Sequence, residues 1–374
     1  MKLKAKRRQA VTLDFAGRGR DDKEVRRDLS CIAQVGGNLW LGSDESVSVE
    51  RLTWDAKHHR FGRHVAVDLT KFFTLPAGKH EEIDVEGIAV EPPYLWITGS
   101  HSLTRRRAEG RSFDEAIAEL TQIQRQTNRY FLARVPLVEV ANEPGEFELR
   151  GTAVDPAKPA RAITASRLFG TGMTSVLTDA LRFDELLRNY TDLPSKDNGL
   201  DVEGLAVDGD RVFLGLRGPV LRGWAVMLEL EPDFFAKDFF TLKEIGKKGR
   251  LYRRHFFDLN GLGIRDLERV GDDLLILAGP TMDIDGRVLL LRWKKFKKRE
   301  RETVVSRDDL EVLIDFGGGD IGQHGKNHAE GITVFTPPAG CALPRGILVT
   351  YDSPAGDYLL GGAQVRADLF PFER

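Results

Sequence analysis

Three stretches of the chain repeat one another: Ile83-Asp84-Val85-Glu86-Gly87-Ile88-Ala89-Val90, Leu200-Asp201-Val202-Glu203-Gly204-Leu205-Ala206-Val207 and Asn327-His328-Ala329-Glu330-Gly331-Ile332-Thr333-Val334. Each is followed by a turn and a second short apolar run, at 94–100, 211–217 and 345–351. Two fainter copies keep the layout, 28–35 with 39–43 and 264–270 with 274–279. Self-similarity along a whole chain marks an array of units that bury their faces on one another. Aligned on their acidic residue, the copies place Ser30, Glu86, Glu203, Asp266 and Glu330 at one position, in steps of 56, 117, 63 and 64 residues. The 117-residue step holds either a sixth, degenerate copy or a long insertion.

Further runs rich in β-branched and aromatic residues follow each pair, at 47–54 and 63–69, 129–137, 224–230 and 253–259, and 287–293 and 310–316. Four short strands per unit of about 60 residues predict an all-β chain, a β-propeller. The reading is one domain over 1–374 with five readable four-stranded blades, six being the alternative. Residues 363–369 supply the last unit with a third strand, and 11–15 are the natural fourth, closing the ring. A linear solenoid would need atypical capping repeats, and two separate sandwiches would leave the recurring motif unexplained.

Two stretches break the β pattern. Phe113, Ile117, Leu120 and Ile123 fall at helical spacing within 112–127, and Ser112 with Glu115 forms a capping-box pattern. Residues 178–187 predict another short helix. Both lie inside the long step, so a helical insertion of approximately 112–190 on one face of the disc is expected.

Of 374 residues, 41% are hydrophobic and 30% charged, which excludes a mostly disordered chain. The net charge of −2 gives no reason to expect nucleic acid or an anionic membrane as partner. The basic runs at 4–8 and 294–301 read as solvated. No window of 18 apolar residues exists, and the basic start has no apolar stretch suited to a signal peptide, so a cytoplasmic protein is expected. Cys31 and Cys341 alone exclude a disulfide scaffold.

In a propeller blade the start of the first strand and the end of the second lie at one mouth of the channel. That gathers Glu86, Glu203, Asp266, His328 and Glu330 from strand starts, and Asp44, Glu45, His101, Arg217 and Asp352 from strand ends. Arg105 and Lys196 are near enough in sequence to reach the same rim. Converging carboxylates repel unless something positive sits among them. A Ca²⁺ ion held by Glu86, Glu203, Asp266 and Glu330 is one solution; direct pairing with Arg217, Arg105, His101 and His328 is another. The glycine after each Glu suits close backbone approach at a crowded neck. The glycine run 317–322 lacks the Gly-Lys-Ser/Thr ending of a phosphate loop and reads as a plain loop. The chain has no Cys-x-x-Cys or Gly-x-Ser-x-Gly, and its His-x-x-x-His, His324 to His328, lacks the Glu of His-Glu-x-x-His, which argues against zinc peptidases and α/β-hydrolases.

The series LSCIAQVGGNLWLGSDE, VEGIAVEPPYLWITGSHS, KDNGLDVEGLAV with GLRGPV, GLGIRDL with LLILAGPT, and KNHAEGITV with YDSP resembles a bacterial family, the domain of unknown function 3616, over nearly the whole chain. Its Glu-Gly-Ile/Leu-Ala element is similar to that of phytase-like esterase and SdiA-regulated propellers. The resemblance implies a propeller and a calcium-linked hydrolase, and no settled reaction.

Two functions follow. The first is a metal-dependent hydrolase of a phosphoester or lactone. There Glu86, Glu203, Asp266 and Glu330 hold Ca²⁺, Arg217 binds the substrate anion, and His101 or His328 acts as general acid or base. The second is a non-catalytic propeller that holds a protein partner or small ligand, its acids locked by Arg217 and the histidines. Carboxylates paired to arginine or backbone amides would favour the second.

Overall fold

Strands dominate the chain, and they fall into sheets that follow the sequence period. The structure, a computed structural model, describes residues 8–15, 24–43, 46–108, 112–282, 286–298, 301–318 and 328–373. Asp44, Glu45 and the glycine run beyond Gly318 lie outside the described residues.

The principal strands are β1 (Gln9–Asp14), β2 (Leu29–Val35), β3 (Asn38–Ser43), β4 (Ser48–Asp55), β5 (Arg60–Asp68), β6 (Val85–Glu91), β7 (Tyr94–Gly99), β8 (Leu132–Glu139), β9 (Ser166–Leu168) and β10 (Asp201–Asp208). They continue with β11 (Arg211–Gly218), β12 (Trp224–Leu230), β13 (Arg253–Asp258), β14 (Gly263–Val270), β15 (Asp273–Gly279), β16 (Arg287–Trp293), β17 (Leu310–Gly318), β18 (His328–Phe335), β19 (Gly346–Asp352) and β20 (Gln364–Pro371).

One sheet runs β2-β3-β4-β5 and passes through β1 to β20-β19-β18. A second runs β6-β7-β8-β9 and is extended by Phe239–Leu242 and Pro232–Asp233. A third runs β10-β11-β12-β13 with Thr303–Val305 at its edge, and a fourth runs β14-β15-β16-β17. The leading strands β2, β6, β10, β14 and β18 pack side by side in that order, and β18 returns to β2. The arrangement is propeller-like.

Burial explains the sequence pattern. Both faces of each sheet are covered by neighbours, so strands such as β3 and β7 are buried at every position instead of alternating. A separate hydrophobic core fills each gap between adjacent sheets, and a fifth lies between the two halves of the first sheet. Trp40, Val49, Ile88 and Ile97 pack in one, Trp96, Leu205, Leu214 and Phe240 in the next, and Phe213, Phe257, Ile276 and Trp293 in a third. Leu277, Leu290, Ile332 and Val349 make the fourth, and Leu13, Leu39, Phe335 and Leu369 the fifth. As expected for 11–15, β1 pairs antiparallel with β20 from Gln9↔Leu369 to Asp14↔Gln364 and meets β5 at Leu13↔Phe61.

The long step contains β8, β9, the hairpin of Thr152–Asp155 with Lys158–Thr164, and two helices, α1 (Phe113–Leu120) and α2 (Val176–Leu181). Among the described residues, no strand of this step enters the inner circuit. The capping box of Ser112 and Glu115 is present. α1 ends at Leu120, short of the predicted 127, because Ile123–Gln124 pairs with Thr104–Arg105 instead. Its apolar stripe, Phe113, Ile117 and Leu120, is exposed. Helical spacing found the helix without finding a surface for it to cover. α2 begins two residues before the predicted start, capped by Ser175, and buries Leu177 and Leu181.

Candidate functional site

Each leading strand slips by one residue against its second strand. Pairing jumps from Leu29 to Cys31, Val85 to Gly87, Val202 to Gly204, Ile264 to Asp266 and Ala329 to Gly331. The residues left out of the ladders are Ser30, Glu86, Glu203, Arg265 and Glu330. A β-bulge re-aims its side chain, and here five bulges stand at one level of the inner circuit. Four members match the sequence alignment and one corrects it. Arg265, not Asp266, takes the ring position in the fourth copy, making the steps on either side 62 and 65 residues.

The residue after each bulge faces the next leading strand. A Cβ on Gly87 would lie 2.6 Å from Leu205 Cβ, and one on Gly204 would lie 2.8 Å from Leu267 Cγ. Close approach therefore requires glycine there, as the sequence reading expected. In the fourth copy this place holds Asp266, whose carboxylate accepts the backbone N–H groups of Leu267 and Ile332, both at 2.8 Å. Asp266 thus ties β14 to β18, and burial pushes its carboxyl well above the usual range.

Arginines run through the acids. Arg265 Nε lies 3.5 Å from Glu203 Oε2, and its Nη1 is ion-paired with Glu330. Arg217, at the end of β11, sets Nη1 2.8 Å from Glu203 Oε1 and Nη2 2.5 Å from Asp201 Oδ2. Arg129 sets Nη1 2.6 Å from Asp84 Oδ2, pairs with Glu82, and donates to the Ser102 hydroxyl at 3.1 Å. Glu86 acts electrostatically on all three guanidiniums. Ser30 donates to the Val85 carbonyl on the neighbouring strand.

Among the described residues, seven carboxyl groups (Glu82, Asp84, Glu86, Asp201, Glu203, Glu330, Asp352) therefore share one web with three guanidiniums (Arg129, Arg217, Arg265). The imbalance appears in their titration. Burial raises Asp201 to about 7 despite Arg217 beside it. Burial, reinforced by Asp352, holds Glu330 well above the usual range, and burial raises Asp352 too. Burial works against the charge on Arg217, but Asp201 and Glu203 outweigh it and keep the guanidinium charged.

The other predicted residues divide. Asp352 stands opposite His328 in the β18–β19 register, and both are half-buried at the mouth. His101 is buried, in a left-handed conformation at φ 53°, and Nε2–H donates to the Phe131 carbonyl at 3.0 Å. Burial lowers its pKa to about 4, so it is neutral near pH 7 and serves as a structural group. Arg105 is held away by Asp197, 2.7 Å from its Nε. Lys196 is exposed in the turn Ser195–Asp197.

The structure does not bring Glu86, Glu203, Asp266 and Glu330 together as one set of ligands. Asp266 sits one residue off the ring with both oxygens on backbone amides, and Glu203 and Glu330 are separated by Arg265. Among the described residues, no group of three or more His, Cys, Asp or Glu is arranged to hold a metal ion. Sequence reasoning missed Arg265, Arg129, Glu82, Asp84 and Asp201. One signal was available: Asp84 and Asp201 both stand two residues before the ring glutamate, where the last copy has His328.

The model of a family described as "Protein of unknown function (DUF3616)" matches residues 28–368. The chain belongs to this family. No curated protein matches this DUF3616 chain. Among solved structures, it is similar to an oxidoreductase (glucose dehydrogenase) of Thermus thermophilus at 14% identity and a TM-score of 0.36, covering 97% of this chain and 100% of that one. It is also similar to the phage phi92 endosialidase at 8% identity and a TM-score of 0.35, covering 98% of this chain and 70% of that one. The Dos1 propeller matches at 10% identity and a TM-score of 0.28, with 90% of this chain and 68% of that one covered.

Proposed function

We propose that the chain is a five-bladed β-propeller, with helices α1 and α2 inserted on one face, that binds a small organic cation at the bulge-ring mouth of its channel. One observation carries this reading: seven carboxyls meet three guanidiniums, and Asp201, Glu330 and Asp352 are displaced toward the protonated form. Protons taken up by these carboxyls would offset part of the web's excess negative charge. A ligand with a protonated amine or guanidinium would take their place, so binding would release protons and tighten with rising pH. Glu86, Glu330, Asp352 and His328, all only partly buried, form the accessible side of the site.

The test is calorimetric titration of the full chain with spermidine and with agmatine, in two buffers of different ionisation enthalpy. Saturable binding with proton release, weakened about tenfold or more in Glu330→Gln, is the expected result. No saturable heat with either amine overturns the reading. Calcium chloride is the third probe. Stabilisation against heat by Ca²⁺ that EDTA reverses would favour a calcium-dependent hydrolase instead.

A second reading rests on Asp201 alone. A carboxyl held near pH 7 beside a guanidinium has the titration of a general acid, which suits hydrolysis of a phosphoester or lactone. Its test is a pH–rate profile on generic phosphoester and lactone substrates. Activity that survives Asp201→Asn unchanged removes it.

A further inference from the structure

We propose that a pocket between the second and third sheets, on the face opposite the carboxyl web, binds a small oxyanion through Arg134. The pocket, about 220 Å³, lies at the far ends of β6 and β10, where Glu91, Tyr94, Gly209 and Asp210 contribute to its wall. This site is independent of the channel mouth.

Arg134, on β8, is stacked on aromatic rings rather than paired with acids. Its guanidinium carbon lies 3.5 Å from the Phe234 ring centre and 4.1 Å from that of Tyr94, and Nε donates to Ser166 Oγ at 3.3 Å. Arg134 is half-buried, and like Arg167, which stacks on Phe239, it has a ring where several other arginines have an acid. Arg129, Arg217, Arg254 and Arg265 each have a carboxylate within 3.0 Å. Among the described residues, Arg134 has none in ion-pair range, and neither has Arg161, which lines the same pocket.

None of the acids lining the pocket is ion-paired with Arg134. Glu91 is committed to Arg269 at 2.6 Å. Asp155 accepts the Ala157 N–H at 2.9 Å. Asp210 is exposed on its turn, where water screens it. Burial lowers the Arg134 pKa to about 10, with Tyr94 and Asp210 acting against the shift and Arg161 adding to it. A bound anion would relieve the effects of burial and of Arg161.

The ligand chemistry follows from the geometry. With Nε turned to Ser166, the two terminal nitrogens remain as a planar fork, which fits the paired oxygens of a carboxylate or phosphate. The rings of Tyr94 and Phe234 exclude water from its face and strengthen that interaction. Arg161, exposed on the same pocket, supplies a second cation.

The experiment is calorimetric titration of the full chain with inorganic phosphate and with succinate, at an ionic strength held constant with sodium chloride. Saturable binding of at least one probe is expected. Phosphate alone would identify a phosphoryl ligand, and succinate alone a carboxylate. Arg134→Lys, which keeps charge but loses the fork, should weaken binding about tenfold. Arg161→Gln, at an exposed position, should weaken it several-fold without touching the fold. No saturable heat with either probe, or affinities unchanged in both variants, overturns the proposal.

Discussion

Arg265 and Glu330 occupy the same bulge position on adjacent leading strands, and their side chains are ion-paired. The ring therefore carries its own positive charge, one unit in a circuit of Ser30, Glu86, Glu203 and Glu330. Replacing Arg265 with methionine leaves the buried Glu203 and the half-buried Glu330 without the cation they share. Removing one partner of a buried pair costs about 3–5 kcal/mol, and denaturant unfolding should show a loss of that order. Adding Glu330→Gln to Arg265→Met should recover part of it. Purely additive losses would mean the two residues do not act on one another.

His101 sets an acid limit on stability. Its folded pKa of about 4 lies below the ordinary 6.5. The stabilisation is complete above pH 6.5 and is lost as pH falls toward 4, by about 3 kcal/mol at 1.36 kcal/mol per unit. Asparagine tolerates the left-handed backbone at this position. The stability difference between the wild type and His101→Asn should therefore shrink as pH drops from 6.5 to 4. A constant difference would show that His101 does not titrate in that window.

Asp201 acts in the opposite sense. Its carboxyl is raised to about 7 from 3.8, so the protonated form favours the folded chain. That contribution is complete below pH 3.8 and is lost as pH rises through 7. Relative to Asp201→Asn, the wild type should lose stability between pH 4 and pH 8 in denaturant unfolding. A flat difference would mean Arg217 holds Asp201 ionised throughout.

Gly204 is one of the places where two leading strands come close to collision. A Cβ there would meet Leu267 Cγ at 2.8 Å, Ile264 Cγ2 at 3.2 Å and the Asp266 carbonyl carbon at 3.3 Å. Gly204→Ala should cost about 1–3 kcal/mol from overpacking. Gly361→Ala, with nothing within 4 Å of the added atom, is the control and should be near neutral. Equal midpoints for the two variants would contradict the close approach.

The fold was legible because its determinants are local and repeated. Each copy spells an inner strand, a turn and a second strand in consecutive residues, and Leu13 among apolar neighbours marked β1 before its partner was known. The site was only half legible. Matching copies by acidic chemistry put Asp266 in the ring. Matching them by their apolar anchors, Val85 and Ile88, Val202 and Leu205, Ile264 and Leu267, puts Arg265 there, because buried side chains fix strand register and acids follow it. Arg129 lies outside the repeats, so no periodicity could have brought it to Asp84. The exposed stripe of α1 was invisible for a different reason: spacing records a helix face and says nothing of what stands opposite it.

The strand pairing of β1 with β20 also has a consequence in time. Leu13 leaves the ribosome long before Val365, its partner. At about 5–20 residues per second, β1 waits on the order of tens of seconds before its antiparallel neighbour exists. Until then β1 and β19 present open edges, and an open strand edge is a template for any other chain that finds it. A ribosome that stalls short of residue 364 would leave a nearly complete molecule with two adhesive ends, so β20 decides whether the product is a closed ring or a seed for aggregation.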